Sequence, residues 1–146
     1  MILSNFAERL SGLIFEANLT PTAFAKTVGL GRSTVNNYLN KRKMPALDVV
    51  IKIADFFQCT TDFLLGLEEE SYSHTFQTPP PFKERLQAIL ISQNLSKAEL
   101  IRKAKLPESG VYFWLRGARK PTIESVVSIA TALGRSVEYV LGRSDL

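Results

Sequence analysis

The sequence predicts an all-α protein made of two tandem five-helix domains joined by an acidic, proline-ended linker. Three observations support this fold class. First, residues 6–66 align with residues 82–142 without a gap, so one small module occurs twice in the chain. Second, apolar residues in each copy recur at three- and four-residue spacing, which is typical of helices that bury one face. Third, the segment between the copies begins with Glu68–Glu70 and ends in Pro79–Pro81, a composition typical of a solvated connector.

These observations predict a first domain over residues 1–67, a linker over 68–80 and a second, divergent domain over 81–146. Seven Lys/Arg against five Asp/Glu give residues 1–67 a net charge of +2. Eleven against six give residues 82–146 a net charge of +5, and the three glutamates between the copies give −3. Two basic modules fit a polyanionic partner.

Each helix of the first domain is predicted from its apolar spacing and its end signals. Asn5, with Glu8 three residues on, is expected to cap the first helix. Thr20 caps the second helix, Pro21 takes its first position, and Gly29 ends it in a left-handed conformation. A basic turn separates the third helix from the fourth. The predicted helices of this domain span about residues 5–18, 20–28, 32–40, 47–57 and 60–66.

The second domain repeats these elements with its own end signals. Pro81 starts the first helix, and Ser96 with Glu99 forms a capping box at the start of the second. Gly110 lies inside the third helix and is expected to weaken it, whereas Trp114 is expected in the core. The later helices of this domain are predicted over about residues 96–104, 108–116, 123–133 and 136–142.

Composition argues against several other classes of protein. The sequence has no run of about 18 apolar residues, so no transmembrane helix is predicted. Glu8 and Arg9 interrupt the apolar stretch that a secretory signal needs at the amino end. Cys59, expected to be a plain semi-buried thiol, and His74 in the linker are the single cysteine and histidine. The single cysteine and histidine disfavour metal ions, cofactors and catalysis, so no enzymatic activity is expected. The lack of a transmembrane helix and of a secretory signal predicts a cytoplasmic protein.

In each copy a short helix, a tight turn and a second short helix form a helix-turn-helix unit. The first copy carries this pattern on Leu19, Thr20, Phe24, Ala25, Val28, Gly29, Leu30, Ser33, Thr34, Val35, Tyr38 and Leu39. With the order of five helices, these residues resemble the Cro and lambda-repressor type of helix-turn-helix domain, the XRE family. The resemblance covers nearly the whole chain, once per module, and implies two lambda-repressor-like domains.

The resemblance implies double-stranded DNA binding, with the third helix of the module in the major groove. Asn pairs with adenine, Arg with guanine, and Ser or Thr with base edges or phosphates. Cations that follow the helix would meet phosphates. Pro21 departs from the family pattern, in which Gln often contacts a phosphate, and Thr22 is the nearest substitute. The DNA contacts carried over to the first domain are Thr22, Arg32, Ser33, Thr34, Asn36, Asn37, Asn40, Lys41, Arg42 and Lys43.

The second domain departs further from the pattern. Lys105 replaces the turn glycine, and Glu108 replaces Arg32. Glu108 could accept a hydrogen bond from cytosine but would repel phosphate. Tyr112 and Phe113 replace two asparagines, so at least one ring is expected at the surface. There it would touch thymine methyl groups or a protein partner. The DNA contacts predicted for this domain are Lys97, Ser109, Tyr112, Phe113, Arg116, Arg119 and Lys120.

The expected function is sequence-specific regulation of transcription by a repressor of bacterial or phage origin that occupies an operator. The alternative is an interaction protein whose second domain binds protein, or dimerises, and does not bind DNA. The expected partners are double-stranded DNA and, in one option, a second copy of the chain. No membrane partner is expected.

Overall fold

The computed structural model describes residues 2–71 and 76–144, which belong to two compact units, Met1–Ser73 and His74–Leu146. All regular secondary structure within the described ranges is α-helical, which confirms the predicted all-α tandem architecture. The first unit contains α1 (Ile2–Glu16), α2 (Pro21–Val28), α3 (Arg32–Leu39), α4 (Leu47–Phe57) and α5 (Thr61–Leu64). The second contains α6 (Phe82–Ser92), α7 (Lys97–Ala104), α8 (Glu108–Leu115), α9 (Ile123–Leu133) and α10 (Val137–Leu141).

Helix α1 begins earlier than its residue pattern predicted. It starts at Ile2, so Asn5 lies inside the helix, and the prediction of a cap at Asn5 was wrong. Ile2 and Leu3 are half-buried, so packing extends the helix past the polar residues that resembled a cap. At the other end Asn18 takes a φ of 58°, and the Leu19 N–H donates to an earlier carbonyl of α1, which closes the helix.

The end signals predicted for α2 and α7 are confirmed. The Thr20 hydroxyl accepts from the backbone N–H three residues on at 3.0 Å, and Gly29 ends α2 with a φ of 75°. At α7 the Ser96 hydroxyl accepts from the Glu99 N–H at 3.1 Å. The Glu99 carboxylate accepts from the Ser96 N–H, also at 3.1 Å, so the predicted capping box forms in full.

An aromatic pair in the core anchors the third helix of each unit. Phe6 meets Tyr38 of α3 edge to face with ring centroids 6.0 Å apart, and burial raises the pKa of the Tyr38 hydroxyl. Phe82 meets Trp114 of α8 in the same way at 6.2 Å, and Trp114 is buried as predicted. A Cβ at Gly110 would lie 3.0 Å from the Pro107 side chain and 3.4 Å from the Trp114 ring, so the tight neighbour of this glycine is Pro107. Although glycine is a weak helix former, α8 keeps the eight residues of α3.

A second shared contact joins the first helix of each unit to its short fifth helix. Arg9 of α1 donates to the Phe63 carbonyl at 3.0 Å, and its guanidinium lies 3.9 Å from the centroid of the Phe63 ring. Arg85 of α6 donates to the Tyr139 carbonyl at 2.9 Å, with its guanidinium 4.6 Å from the centroid of the Tyr139 ring. A charge-assisted hydrogen bond and a cation–π contact thus hold the fifth helix in both units.

The described ends of the linker pack on the unit that they adjoin, so they are less solvated than the composition predicts. The Thr60 N–H donates to the Ser71 hydroxyl at 3.0 Å on the first unit. The Gln77 N–H donates to the Arg143 carbonyl at 2.9 Å on the second. The predicted domain and linker boundaries stay a prediction, and His74 lies outside the described residues.

Candidate nucleic-acid interface

Helices α2 and α3 form the helix-turn-helix of the first unit. Gly29 ends α2 with its left-handed φ, and the Leu30 N–H donates to the Ala25 carbonyl at 2.8 Å, so the turn between the helices is tight. Val35 and Tyr38 of α3 are buried, and α3 contacts α1 and α2. This anchoring determines which face of α3 reaches solvent.

The opposite face of α3 is polar and accessible. Thr34 and Asn37 on this face are half-buried. The predicted readers that are exposed are Arg32, Ser33, Asn36 and Asn40. One eight-residue helix therefore presents guanidinium, hydroxyl and amide groups, which are the groups that hydrogen-bond to base edges in the major groove.

A basic turn follows α3, as the sequence predicted. Lys41, Arg42 and Lys43 are exposed, and Thr22 is exposed near the start of α2. The Lys41 ammonium lies 3.4 Å from a carboxylate oxygen of Glu8 on α1. Because both side chains are exposed, this ion pair contributes at most about 1 kcal/mol. Lys41 can therefore exchange it for a phosphate at little cost.

The equivalent face of α8 has a different chemistry. Tyr112 is 52% exposed and Phe113 is half-buried, which confirms that at least one ring reaches the surface. The Arg116 guanidinium lies 5.0 Å from the centroid of the Tyr112 ring, and that of Arg119 lies 4.5 Å from the Phe113 ring. The rings themselves meet edge to face at 6.3 Å. Two cation–π contacts therefore place one arginine over the exposed Tyr112 and another over the half-buried Phe113.

The other predicted contacts of the second unit surround this pair. Lys97, Ser109 and Lys120 are exposed. Glu108 is exposed where the first unit has Arg32, so a negative charge begins α8 and a positive charge begins α3. A cleft of about 690 Å³ lies between α7 and α8. Its lining residues are Lys97, Ala98, Ile101, Glu108, Ser109, Val111 and Tyr112.

Sequence reasoning missed both arginine–ring contacts. A signal for the first was available, because Arg116 follows Tyr112 by four residues and such pairs share a helix face. Arg119 reaches Phe113 from beyond the end of α8, after Gly117 turns the chain with a φ of 74°. No spacing rule specifies that return, so this contact had to be seen in three dimensions.

Three further features of the described residues concern metal ligands, membrane helices and Cys59. Among them, no group of three or more His, Cys, Asp or Glu is placed to hold a metal ion. None of the helices in residues 2–71 and 76–144 has the length and apolar character needed to cross a bilayer. Cys59 is 4% exposed, so it is buried more deeply than the predicted semi-buried thiol.

Two helical units that each present a short helix after a tight turn define a tandem helix-turn-helix protein. The helix-turn-helix family model HTH_3 matches residues 13–64 and again residues 86–140. The chain belongs to this XRE-type family and is a DNA-binding regulator of that type. No curated protein and no solved structure matches the chain significantly.

Proposed function

We propose that the protein is a sequence-specific binder of double-stranded DNA, a repressor of bacterial or phage origin in which α3 reads the operator. The observation that carries this proposal is the polar face of α3. Arg32, Asn36 and Asn40 are exposed there, while Val35 and Tyr38 hold the helix from behind. A rigidly held polar helix on a helix-turn-helix scaffold has the geometry needed for a major groove.

The proposed readers divide by the chemistry of their side chains. Asn36 and Asn37 would each pair bidentately with adenine, and Arg32 with guanine. Ser33 and Thr34 carry hydroxyls that bond base edges or nearby phosphates. Asn40, at the carboxyl end of α3, would lie near the edge of the contact. The expected half-site of α3 therefore contains both adenine and guanine.

The proposed phosphate contacts flank the reading helix. Arg42 and Lys43 are exposed just beyond α3, and Lys41 joins them when it leaves Glu8. Thr22 on α2 replaces the family's phosphate-binding Gln. The logarithm of the binding constant falls linearly with the logarithm of the salt concentration, by about one for each phosphate that a cation neutralises. These three cations should therefore contribute about three to the steepness of that line. A protein that occupies an operator in this way would block polymerase. Its proposed location is the cytoplasm.

The second unit can be assigned to either of two roles. As a DNA contact, it would use Lys97, Arg116, Arg119 and Lys120 on phosphates, and Ser109, Tyr112 and Phe113 in the groove. As a protein contact, it would use the exposed Tyr112 and the half-buried Phe113 of α8. Glu108 favours the second role, because a carboxylate at the start of a reading helix repels phosphates.

A gel-shift titration tests the assignment of α3. Random-site selection with the full-length protein first supplies a high-affinity duplex. We expect Asn36→Ala and Asn37→Ala each to cost about 1–3 kcal/mol, or about 5- to 150-fold in affinity, because a bidentate contact is lost. Ser11→Ala, at an exposed position of α1, is the control and should bind like the wild type. Unchanged affinity of both asparagine variants, with circular dichroism showing that they are folded, would rule out α3 as the reader.

A further inference from the structure

One face of α8 carries an acid, an aromatic ring and a base in a single row. Glu108 and Tyr112 lie four residues apart on one ridge of α8, and Arg116, four residues further on, caps the helix in a right-handed conformation and continues the row. Glu108 and Arg116 are exposed, and Tyr112 is 52% exposed. The Arg116 guanidinium lies 5.0 Å from the centroid of the Tyr112 ring, so the base and the ring of this row are in contact.

This row is complementary to itself in the antiparallel direction. Tyr112 lies midway between Glu108 and Arg116, which are about 12 Å apart along the helix at 1.5 Å per residue. Two copies of α8 can pack antiparallel across a twofold axis at Tyr112, with the ridges formed by every fourth residue side by side. In that arrangement Glu108 of each copy faces Arg116 of the other copy. We propose that the occupant of the α8 face is the α8 face of a second copy of this chain.

The first unit lacks this self-complementarity at the same three positions. Its row is Arg32, Asn36 and Asn40, which holds one base and no acid. Two such rows packed antiparallel would gain no ion pair, because each Arg32 would face an amide. At this equivalent position α3 has a base, Arg32, and α8 has an acid, Glu108. Helix α8 therefore lacks a cation that could contact DNA and has the acid that a twofold contact needs.

The cleft beside the row extends the proposed contact. Ala98, Ile101 and Val111 contribute apolar side chains to a space of about 690 Å³ that Tyr112 also lines. Across a twofold axis near Tyr112, the ring of the second copy would lie over this cleft. Aromatic and arginine side chains at the centre of an interface contribute most of the binding energy. The half-buried Phe113 with Arg119 above it would form the edge.

Sedimentation equilibrium of the full-length protein without DNA tests the proposal, so its outcome is independent of the proposed reading by α3. We expect a concentration-dependent dimer. Glu108→Arg places two bases opposite each other in the dimer, and Arg116→Glu places two acids opposite each other. Each variant should raise the dimer dissociation constant on the order of tenfold or more.

Mixing separates a contact between copies from a folding defect. An equimolar mixture of the Glu108→Arg and Arg116→Glu proteins pairs base with acid at both ends, so it should regain the dimer that each protein alone has lost. The double variant should also dimerise, because its row is again self-complementary. Glu124→Arg is the matched control, an exposed acid in the first turn of α9, and should leave the dimer unchanged.

A cysteine variant tests the same contact if the Glu108→Arg and Arg116→Glu proteins do not fold. Cys59 is the single cysteine and is buried, so Tyr112→Cys adds one exposed thiol. At a twofold axis two such thiols should oxidise to a disulfide-linked dimer on a non-reducing gel, whereas Lys83→Cys on α6 should not. A monomeric wild type overturns the proposal. A wild-type dimer whose dissociation constant is unchanged by both charge reversals overturns it as well. A loss of DNA affinity in the reversal variants without any change of mass would assign α8 to DNA.

Discussion

Five positions in each described unit have a left-handed backbone, and each lies 76 residues from its counterpart in the other unit. In three of these pairs of equivalent positions, one copy has glycine and the other has a residue with a side chain. The pairs are Asn18/Asn94, Gly29/Lys105, Lys41/Gly117, Gln58/Gly134 and Gly66/Gly142. Glycine takes this conformation without steric cost, and other residues pay roughly 1–2 kcal/mol. Local strain therefore differs between two units that share a backbone.

Replacing Lys105 tests this reading at one residue. Lys105 ends α7 with a φ of 55°, where Gly29 ends α2. We expect Lys105→Gly to raise the free energy of unfolding of the second unit by about 0.5–1 kcal/mol. The relief of the left-handed conformation outweighs the added freedom of the unfolded chain. Trp114 is the single tryptophan, so its fluorescence follows this unit in a urea titration.

The control for that measurement is the same substitution two residues earlier. Lys103 lies inside α7, so Lys103→Gly should lower the free energy of unfolding by about 1 kcal/mol. Opposite signs for the two variants support the account. A loss of stability in both would mean that the left-handed position of Lys105 carries no strain.

At the scale of elements, end signals decided how well the sequence predicted each helix. Thr20 and Ser96 carry side-chain caps, and the starts of α2 and α7 were predicted from them. Helix α1 begins at Ile2 through packing of half-buried residues, and the polar Asn5 misled the prediction. Capping is local chemistry that a pattern records, whereas packing depends on the rest of the unit. The sequence predicted an exposed ring on α8, but the return of Arg119 to Phe113 depends on the turn after the helix and had no local signal.

The capping box gives α7 a pH dependence. The Ser96 backbone N–H, and then its hydroxyl, hold the pKa of the Glu99 carboxyl below its ordinary value of 4.5. A depressed pKa means that the ionised form stabilises the folded state. This contribution is fully present above 4.5 and is lost as the pH falls through the lower pKa of the folded protein.

Glu99→Ala should therefore destabilise the second unit at pH 7, and by less as the pH falls below 4.5. Urea titrations followed by Trp114 fluorescence over that pH range measure the difference in unfolding free energy. Glu124→Ala is the control, because the cap of α9 is the Thr122 hydroxyl, which accepts from the Ser125 N–H without a carboxylate. A wild-type advantage over Glu99→Ala that stays constant with pH would show that the carboxylate plays no capping role.

At the scale of the whole molecule, the duplication preserved a scaffold and changed its surface. The aromatic anchors of α3 and α8 and the arginine contacts to α5 and α10 recur in both units. The exposed face of α3 is amide-rich, and that of α8 is aromatic with an acid at its start. Two equivalent helices with such different faces would not read the same DNA. We therefore propose that the first unit reads bases and that the second pairs two copies of the chain.

The sequences recovered by random-site selection with the full-length protein test this division of labour most directly. A dimer joined through α8 carries two identical α3 helices, so each selected site should contain two copies of one motif. The Glu108→Arg protein, which should be monomeric, should select single copies of that same motif. Two different motifs within each wild-type site would mean that α8 reads DNA beside α3, and would contradict the account.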